Sequence, residues 1–271
     1  MAVGGSSQTS TINAILMRAF ALVVAMLTSG AVALLLERVA YRPLLKRNAP
    51  KLVLLISAIG ASFVLAEAMG LRDKIVAFVG LDDSLNEYVT RARNNVQFPG
   101  LVRPVRLFEL GGYRVTSIDL IVICSAVLMM IAVDQFIRRS RLGRGIRAVA
   151  QDPESAALMG VNATRVIQVT FLIGGLMAGV AAFLYLLRIG VTVYDVGFLL
   201  GVKAFTAAVL GGIGNLRGAL LGGLILGVAE NYGSALFGTE WKDVVAFALL
   251  VLILLFRPTG LLGESLGKAR A

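Results

Sequence analysis

Seven apolar runs, separated by polar segments, dominate the sequence. Hydrophobic residues make up 58% of the 271-residue chain and charged residues only 15%, which is too apolar for a soluble globule. Several runs approach the roughly 20 residues that a helix needs to cross a bilayer. The pattern predicts an all-α, polytopic membrane helix bundle, one transmembrane domain over residues 1–271. We place its spans at about residues 19–36, 52–69, 118–137, 166–187, 198–210, 216–236 and 244–256.

Lys and Arg are distributed unevenly between alternate polar segments. Residues 37–51, 138–165, 214–217 and 257–271 hold 15 basic and 4 acidic residues, whereas the opposite set holds 10 and 8. Cytoplasmic loops of membrane proteins carry the excess of basic residues. We therefore expect the first set to be cytoplasmic, with the C-terminus inside and the N-terminus outside. The net charge of +10 suits lipid headgroups better than nucleic acid, because the basic residues lie between apolar runs.

Several kinds of chemistry are not expected of this chain. It contains no His, and its one Cys, Cys124, lies inside an apolar run. These two facts weigh against hydrolytic or metal chemistry and exclude an intrachain disulfide. The sequence also lacks a GxxxxGK[ST] phosphate-binding loop. We expect no catalytic residue, no metal site and no bound cofactor, so any ATP would be used by a partner subunit.

Residues 138–165 separate the third and fourth runs and contain the signature of a short capped helix. Asp152 is placed as its N-cap, Pro153 as its first residue, Glu154 as a first-turn acid and Gly160 as its terminator. So short a helix is not stable alone in water and needs a partner surface. It is either an ordinary capped turn in a loop or a coupling helix that an ATPase moves. Its other residues are Ser155, Ala156, Ala157, Leu158 and Met159.

Three charged residues lie inside the apolar runs, where charges are costly and usually functional. They are Glu67, Lys203 and Glu230. One hypothesis pairs Lys203 with Glu230 or Glu67 beside a solute pathway, to which we also assign Thr206. The alternative, held equal, is that all three charged side chains reach out to the outer interface.

Glycines predict how the helices connect and pack. A tight turn at Gly211, Gly212, Gly214 and Asn215 joins the fifth and sixth runs, and Asn162 can cap the fourth. Glycines four residues apart let helices approach closely in lipid. Such pairs are Gly175 with Gly179, Gly214 with Gly218 and Gly222, and Gly223 with Gly227.

Five stretches of the sequence resemble one family. They are ERVAYRPL (37–44), LLISAIGAS (54–62), RLGRGIRAVAQDPESAALMGVN (141–162), KAFTAAVLGGIGN (203–215) and KDVVAFALLVLILLFRPTGLLG (242–263). All are similar to the LivH-type permease, a membrane subunit of the bacterial branched-chain amino-acid ABC importer. The similarity runs with few gaps from about residue 19 to 264. Family members usually begin with further apolar segments that this sequence does not show, so we expect an incomplete N-terminus.

The resemblance implies an inner-membrane importer of leucine, isoleucine and valine. Family members pair with a homologous LivM-type permease, two cytoplasmic ATPase subunits that use ATP and a periplasmic solute-binding protein. Residues 152–160 match the family's ATPase-contacting loop. Urea, short-chain amides or other amino acids stay open as substrates. A secondary transporter or channel without an ATPase is the alternative class, which is disfavoured because the charges lie near helix ends. A non-transporting scaffold is a third interpretation.

Overall fold

The computed structural model describes residues 11–47, 49–72, 74, 76, 93, 95–97, 106–110, 113–257 and 259–263. Its contacts divide the chain into two compact units. The first comprises Met1–Ile123 with Phe136–Tyr194, and the second comprises Cys124–Gln135 with Asp195–Ala271.

Each predicted apolar run forms a helix. The first unit contains α1 (Thr11–Leu36), a π-helix (Glu37–Tyr41), α2 (Arg42–Lys46), α3 (Lys51–Gly70), α5 (Arg141–Gln151), α6 (Pro153–Leu158) and α7 (Ala163–Ile189). The ends of α4 (Ser117–Arg139) also belong to it. The second unit contains the middle of α4 together with α8 (Val196–Gly211), α9 (Leu216–Phe237), a 3-10 turn (Thr239–Trp241) and α10 (Lys242–Phe256).

Four stretches of the described chain are long and apolar enough to cross a membrane: Leu16–Lys46, Ser117–Arg139, Ala163–Ile189 and Leu216–Phe237. Helices α8 and α10 are shorter, at 16 and 15 residues, and α3 has 20 residues, of which Ile56–Gly70 form an apolar stretch; seven spans stay a prediction. The predicted all-α class is confirmed, because each predicted span lies in a helix.

The predicted loops at residues 37–51 and 70–116 need correction. The helix does not stop at Leu36, because no Gly or Pro interrupts the sequence until Pro43, which lies in the first turn of α2 and is tolerated there. The described part of residues 70–116 includes strands β1 (Val96–Gln97), β2 (Arg106–Leu110) and β3 (Tyr113–Thr116). Strand β2 pairs with β3, and β1 with β4 (Val191–Thr192), both antiparallel. Most of this predicted loop, and the tail before Thr11, lie outside the described residues.

In the first unit, glycines bring α1 and α7 into close contact. Gly175 and Gly179 are buried on α7. A Cβ atom built at Gly179 would lie 2.7 Å from the Cα of Met26, and one at Gly175 would lie 2.6 Å from the Cβ of Ala33. Such distances leave no room for a side chain. The predicted glycine contact is therefore confirmed at this pair.

In the second unit, the predicted glycine turn joins α8 to α9. Gly212 and Gly214 have φ values of +112° and +95°, and Asn215 Oδ1 accepts hydrogen bonds from the first-turn amides of α9. Gly218 and Gly222 pack against the main chain of α8. The prediction for Gly227 is wrong, because no described atom beyond its own helix lies within 4 Å of a Cβ built there.

Residues 259–263 pack against the end of this helix pair that is predicted to face the cytoplasm. The amides of Leu261 and Leu262 donate to the carbonyls of Leu210 and Gly211, at 2.9 and 3.0 Å. Asn215 Nδ2 donates to the carbonyl of Leu262 at 3.0 Å. The segment after α10 is thus bound to the glycine turn by main-chain hydrogen bonds.

Candidate functional site

The segment between α4 and α7 folds into two helices, of which the sequence analysis predicted only the second. Helix α5 is capped by Ser140, whose Oγ accepts a 2.8 Å hydrogen bond from the amide of Gly143. The N-cap serine was a usable signal. Gly145 of α5 faces α7, where a Cβ on Gly145 would lie 3.2 Å from Val166 Cγ2. Helix α5 therefore packs on the beginning of α7.

Helix α6, which we call the coupling helix after one of the two roles that the sequence analysis left open, has the predicted caps. Asp152 Oδ1 accepts a 3.0 Å hydrogen bond from the amide of Glu154, and Asp152 Oδ2 accepts one of 2.5 Å from Ser155 Oγ. The hydrogen bond from the Ser155 hydroxyl, followed by those from the Ser155 and Glu154 amides, lowers the pKa of Asp152 below its ordinary value. The carboxylate form is therefore the better cap.

The coupling helix ends one residue before the predicted Met159. Gly160 has φ +80°, its amide donates to Ala157 O, and the amide of Val161 donates to Ala156 O, both at 3.0 Å. This pair of bonds is a Schellman motif, which requires a residue that tolerates the left-handed conformation. Gly160 is thus the terminator that the sequence predicted.

The coupling helix buries little of its own surface. Ala156 is buried, with 4% of its area exposed, whereas Leu158 and Met159 are 89% and 84% exposed. These are the most exposed large apolar side chains in the described part of the chain. Lipid-facing helices also expose apolar residues, but this segment carries Arg on both sides and was predicted to lie outside the bilayer. Its apolar end is a surface suited to a partner protein.

In the second unit, Lys203 and Glu230 lie in one charged cluster. Lys203 Nζ is 3.0 Å from Glu230 Oε1 and 2.7 Å from Asp243 Oδ1. Lys242 Nζ lies 4.0 Å from Glu230 Oε2. The side chain of Glu230 is only 10% exposed, so its charge depends on these neighbours. The predicted pair forms, but its position beside a solute pathway stays a prediction. The sequence analysis did not predict a role for Asp243 and Lys242, because they lie between the predicted spans at 216–236 and 244–256.

The other two candidate pathway residues have different surroundings. Thr206 is fully buried, and its Oγ1 donates a 3.0 Å hydrogen bond to Val202 O within α8. Glu67, in the first unit, pairs at 2.9 Å with Arg93, whose guanidinium lies 5.9 Å from the centre of the Tyr194 ring. Both partners of this ion pair are more than half exposed, which is consistent with the interface alternative for Glu67. The roles of Thr206 and Glu67 in a pathway stay predictions.

The first unit holds a buried carboxylate that the sequence analysis counted as a loop charge. Glu37, at the start of the π-helix, is 1% exposed. Its Oε1 lies 3.5 Å from Arg42 Nε, and its Oε2 accepts a 3.3 Å hydrogen bond from Gln168 Nε2 of α7. The sequence did offer one signal: neither Gly nor Pro lies close to Glu37. The first helix therefore continues past Leu36 and carries Glu37 with it.

Comparison with known proteins decides the family. The family described as the permease component of the branched-chain amino acid transport system matches residues 1–254. The chain belongs to this family. It is therefore a permease subunit, a transport component and not an enzyme, and a multi-pass protein of the inner membrane. The resemblance inferred from the sequence is confirmed.

Two of the relatives that are 43% identical to this chain serve as examples. One is BraD, the high-affinity branched-chain amino acid permease of Pseudomonas aeruginosa, similar over 229 residues, or 84% of this chain and 69% of that protein. The other is LivH of Escherichia coli K12, over 232 residues and the same shares. A probable LivH permease of Methanocaldococcus jannaschii is 26% identical over 248 residues, or 89% of this chain and 73% of that protein. No solved structure is significantly similar to this chain.

Proposed function

We propose that this permease subunit moves leucine, isoleucine and valine inward across the bacterial inner membrane at the expense of ATP hydrolysed by a partner. The substrates come from the names of its relatives, which are 43% identical over 84% of the chain. The observation that supports ATP drive is the coupling helix. It has a cap at each end and presents its most apolar residues outward.

The partners are a homologous LivM-type permease, two cytoplasmic ATPase subunits, a periplasmic solute-binding protein and the bilayer. The coupling segment, Asp152–Gly160, docks on an ATPase subunit on the cytoplasmic side, where the C-terminus also lies. Burial of Leu158 and Met159 would contribute about 1.5–3 kcal/mol each, which is a large part of a small interface.

In this mechanism the coupling helix transmits motion as a rigid body. Because Asp152 fixes its first turn and Gly160 its last, a push on Leu158 displaces the whole segment. Helix α5 ends directly before the coupling helix, at Gln151, and therefore moves with it. The displacement then reaches α7 through the contact between Gly145 of α5 and Val166 of α7. The spans then rock between outward-open and inward-open states. Lys203, Glu230, Thr206 and Glu67 are the candidate residues of the solute pathway.

The docking role is tested with Leu158→Glu in the complete transporter. A charge at the centre of an apolar contact should weaken ATPase binding about 30-fold, the effect of losing an interface hot spot. Ile213→Glu is the matched control, because Ile213 is 73% exposed in the glycine turn, which is also predicted to face the cytoplasm. Pull-down of the ATPase from gently solubilised membranes is the measurement. Undiminished recovery with Leu158→Glu would contradict the docking role.

Substrate is tested in proteoliposomes with the cognate solute-binding protein. Leucine, isoleucine, valine and urea are supplied separately, with and without ATP inside. The proposal expects ATP-dependent uptake of the three amino acids. Uptake of urea alone would move the chain to amide transport, and uptake without ATP would identify a secondary transporter or channel.

A further inference from the structure

A buried polar contact joins α1 to α7 at the end nearest the coupling helix. The carboxylate of Glu37 is enclosed, and its described partners are Arg42, the first residue of α2, and Gln168 of α7. At this point α1 changes to a π-helix, with the amide of Arg42 donating to Glu37 O across five residues. Such widened turns are rare and occur frequently at functional sites.

The contact is loosely satisfied. The distance of 3.5 Å between Arg42 Nε and Glu37 Oε1 is too long for a strong hydrogen bond, and Arg42 Nε is buried without a hydrogen-bond partner in the described structure. The hydrogen bond from Gln168 is also long, at 3.3 Å. Tightly packed apolar groups usually stabilise a fold at least as well as a buried ion pair. A loose polar contact can instead be kept over a range of distances when the helices shift.

Gln168 lies close to where the coupling segment meets α7. Val166, two residues earlier, is buried and contacts Gly145 of α5. One turn later, the ring of Phe171 lies 4.8 Å from that of Tyr41 in the π-helix. A displacement of α5 and the coupling helix therefore reaches Gln168 over a few residues. Farther along, the glycine contacts at Gly175 and Gly179 leave α1 no freedom to slide past α7.

We propose that Glu37 is a positioning residue that passes the displacement of the coupling segment from α7 to α1, with the π-helix as the hinge. Glu37 touches neither solute nor ATP in this role. Its carboxylate keeps the inner end of α1 engaged with Gln168, while the π-helix absorbs the change in direction. The inference rests on the proposed ATP-driven function.

The test is Glu37→Gln in the complete transporter, reconstituted with its ATPases and solute-binding protein. Both leucine uptake and ATP hydrolysis are measured, and their ratio is the readout. Loss of the charge should lower solute moved per ATP by about fivefold or more, the usual range of an energetic coupling between sites. ATP hydrolysis should change by less than about twofold, because the coupling helix is intact. Glu109→Gln is the matched control, since Glu109 forms an exposed ion pair with Arg114.

A second variant separates transmission from mere stability. The exchange Glu37→Gln with Gln168→Glu keeps one carboxylate and one amide at the same contact, so it should recover at least about half of the lost ratio. If Glu37→Gln does not reach the membrane, Gln168→Leu decides, because it removes the hydrogen bond without burying a new charge. An unchanged ratio in the variant that is measured, or no recovery in the exchange, would overturn the inference.

Failure of the proposed function gives a different result. If the wild-type transporter itself shows no ATP-dependent uptake, the proposed ATP-driven function is wrong. If wild-type uptake depends on ATP and Leu158→Glu abolishes it, while Glu37→Gln keeps a normal ratio, only the role of Glu37 is wrong.

Discussion

Four charged residues cluster in the second unit: Lys203, Glu230, Lys242 and Asp243. Among them, Lys203 is the one whose replacement should destabilise this unit most. Lys203→Met removes the ammonium that lies within 3.0 Å of both Glu230 and Asp243. Glu230, whose side chain is only 10% exposed, would keep Lys242 at 4.0 Å as its nearest described cation. Breaking a fully buried pair costs about 3–5 kcal/mol.

The expected cost is smaller here because solvent screens part of the cluster. Lys203 is 21% exposed and Asp243 47%, so we expect about 2 kcal/mol for Lys203→Met, or roughly a 30-fold change in the unfolding equilibrium. Lys242→Met is the matched control. Its side chain is 43% exposed and its contact is longer, so it should cost less than about 1 kcal/mol. Equilibrium unfolding in mixed detergent micelles measures both. Equal costs for the two variants would refute the assignment of Lys203 as the centre of the cluster.

The same cluster changes how a charge exchange must be designed. In Lys203→Glu with Glu230→Lys, the new Glu would face Asp243 and the new Lys would face Lys242. Like charges at such distances are unfavourable, so the double exchange should recover little of the loss. Adding Lys242→Glu and Asp243→Lys restores opposite charges at each contact. Recovery of stability and uptake should therefore appear only when all four residues are exchanged.

Three further outcomes are expected. The lowered pKa of Asp152 means that its stabilising effect is complete above the pKa of the unfolded chain and is lost as pH falls through the folded value. The protection of the coupling-helix amides from exchange, relative to the unfolded chain at the same pH, should therefore fall in acid, but not in Asp152→Asn. Gly160→Val should cost about 1–2 kcal/mol, because Val must adopt the left-handed conformation of Gly160. Transport assays should show reduced uptake, and immunoblotting should show a normal amount of the subunit in the membrane. Normal uptake would remove the support for a fixed helix end. Gly179→Ala should destabilise the first unit by about 1–3 kcal/mol through overlap with Met26, whereas Gly227→Ala in open space should be near neutral; equal melting temperatures would contradict the glycine contact.

The sequence predicted what depends on local chemistry. The Asp152 carboxylate and the main chain of Gly160 act on residues only a few positions away, so a cap and a terminator could be read from residue type and spacing. The predicted close helix contact is present at Gly179 and absent at Gly227, although both residues belong to glycine pairs spaced by four. The spacing says that a helix face can be approached closely, but not that another helix lies there. That information is tertiary, and a single chain does not carry it in a local pattern.

The charged residues show the same division. Lys203 and Glu230 were recognisable because a charge inside an apolar run needs a partner, yet Asp243 became visible only once α10 was placed against them. Glu37 escaped notice because it borders Arg-rich sequence, where a carboxylate is ordinarily solvated. Its burial results from α7 lying over the inner end of α1. Gly175 and Gly179, about two and three turns beyond Gln168 on α7, enforce this position. A close glycine contact therefore has a consequence beyond packing, because it fixes the neighbouring polar side chains against each other and makes Glu37 responsive to movement of α7.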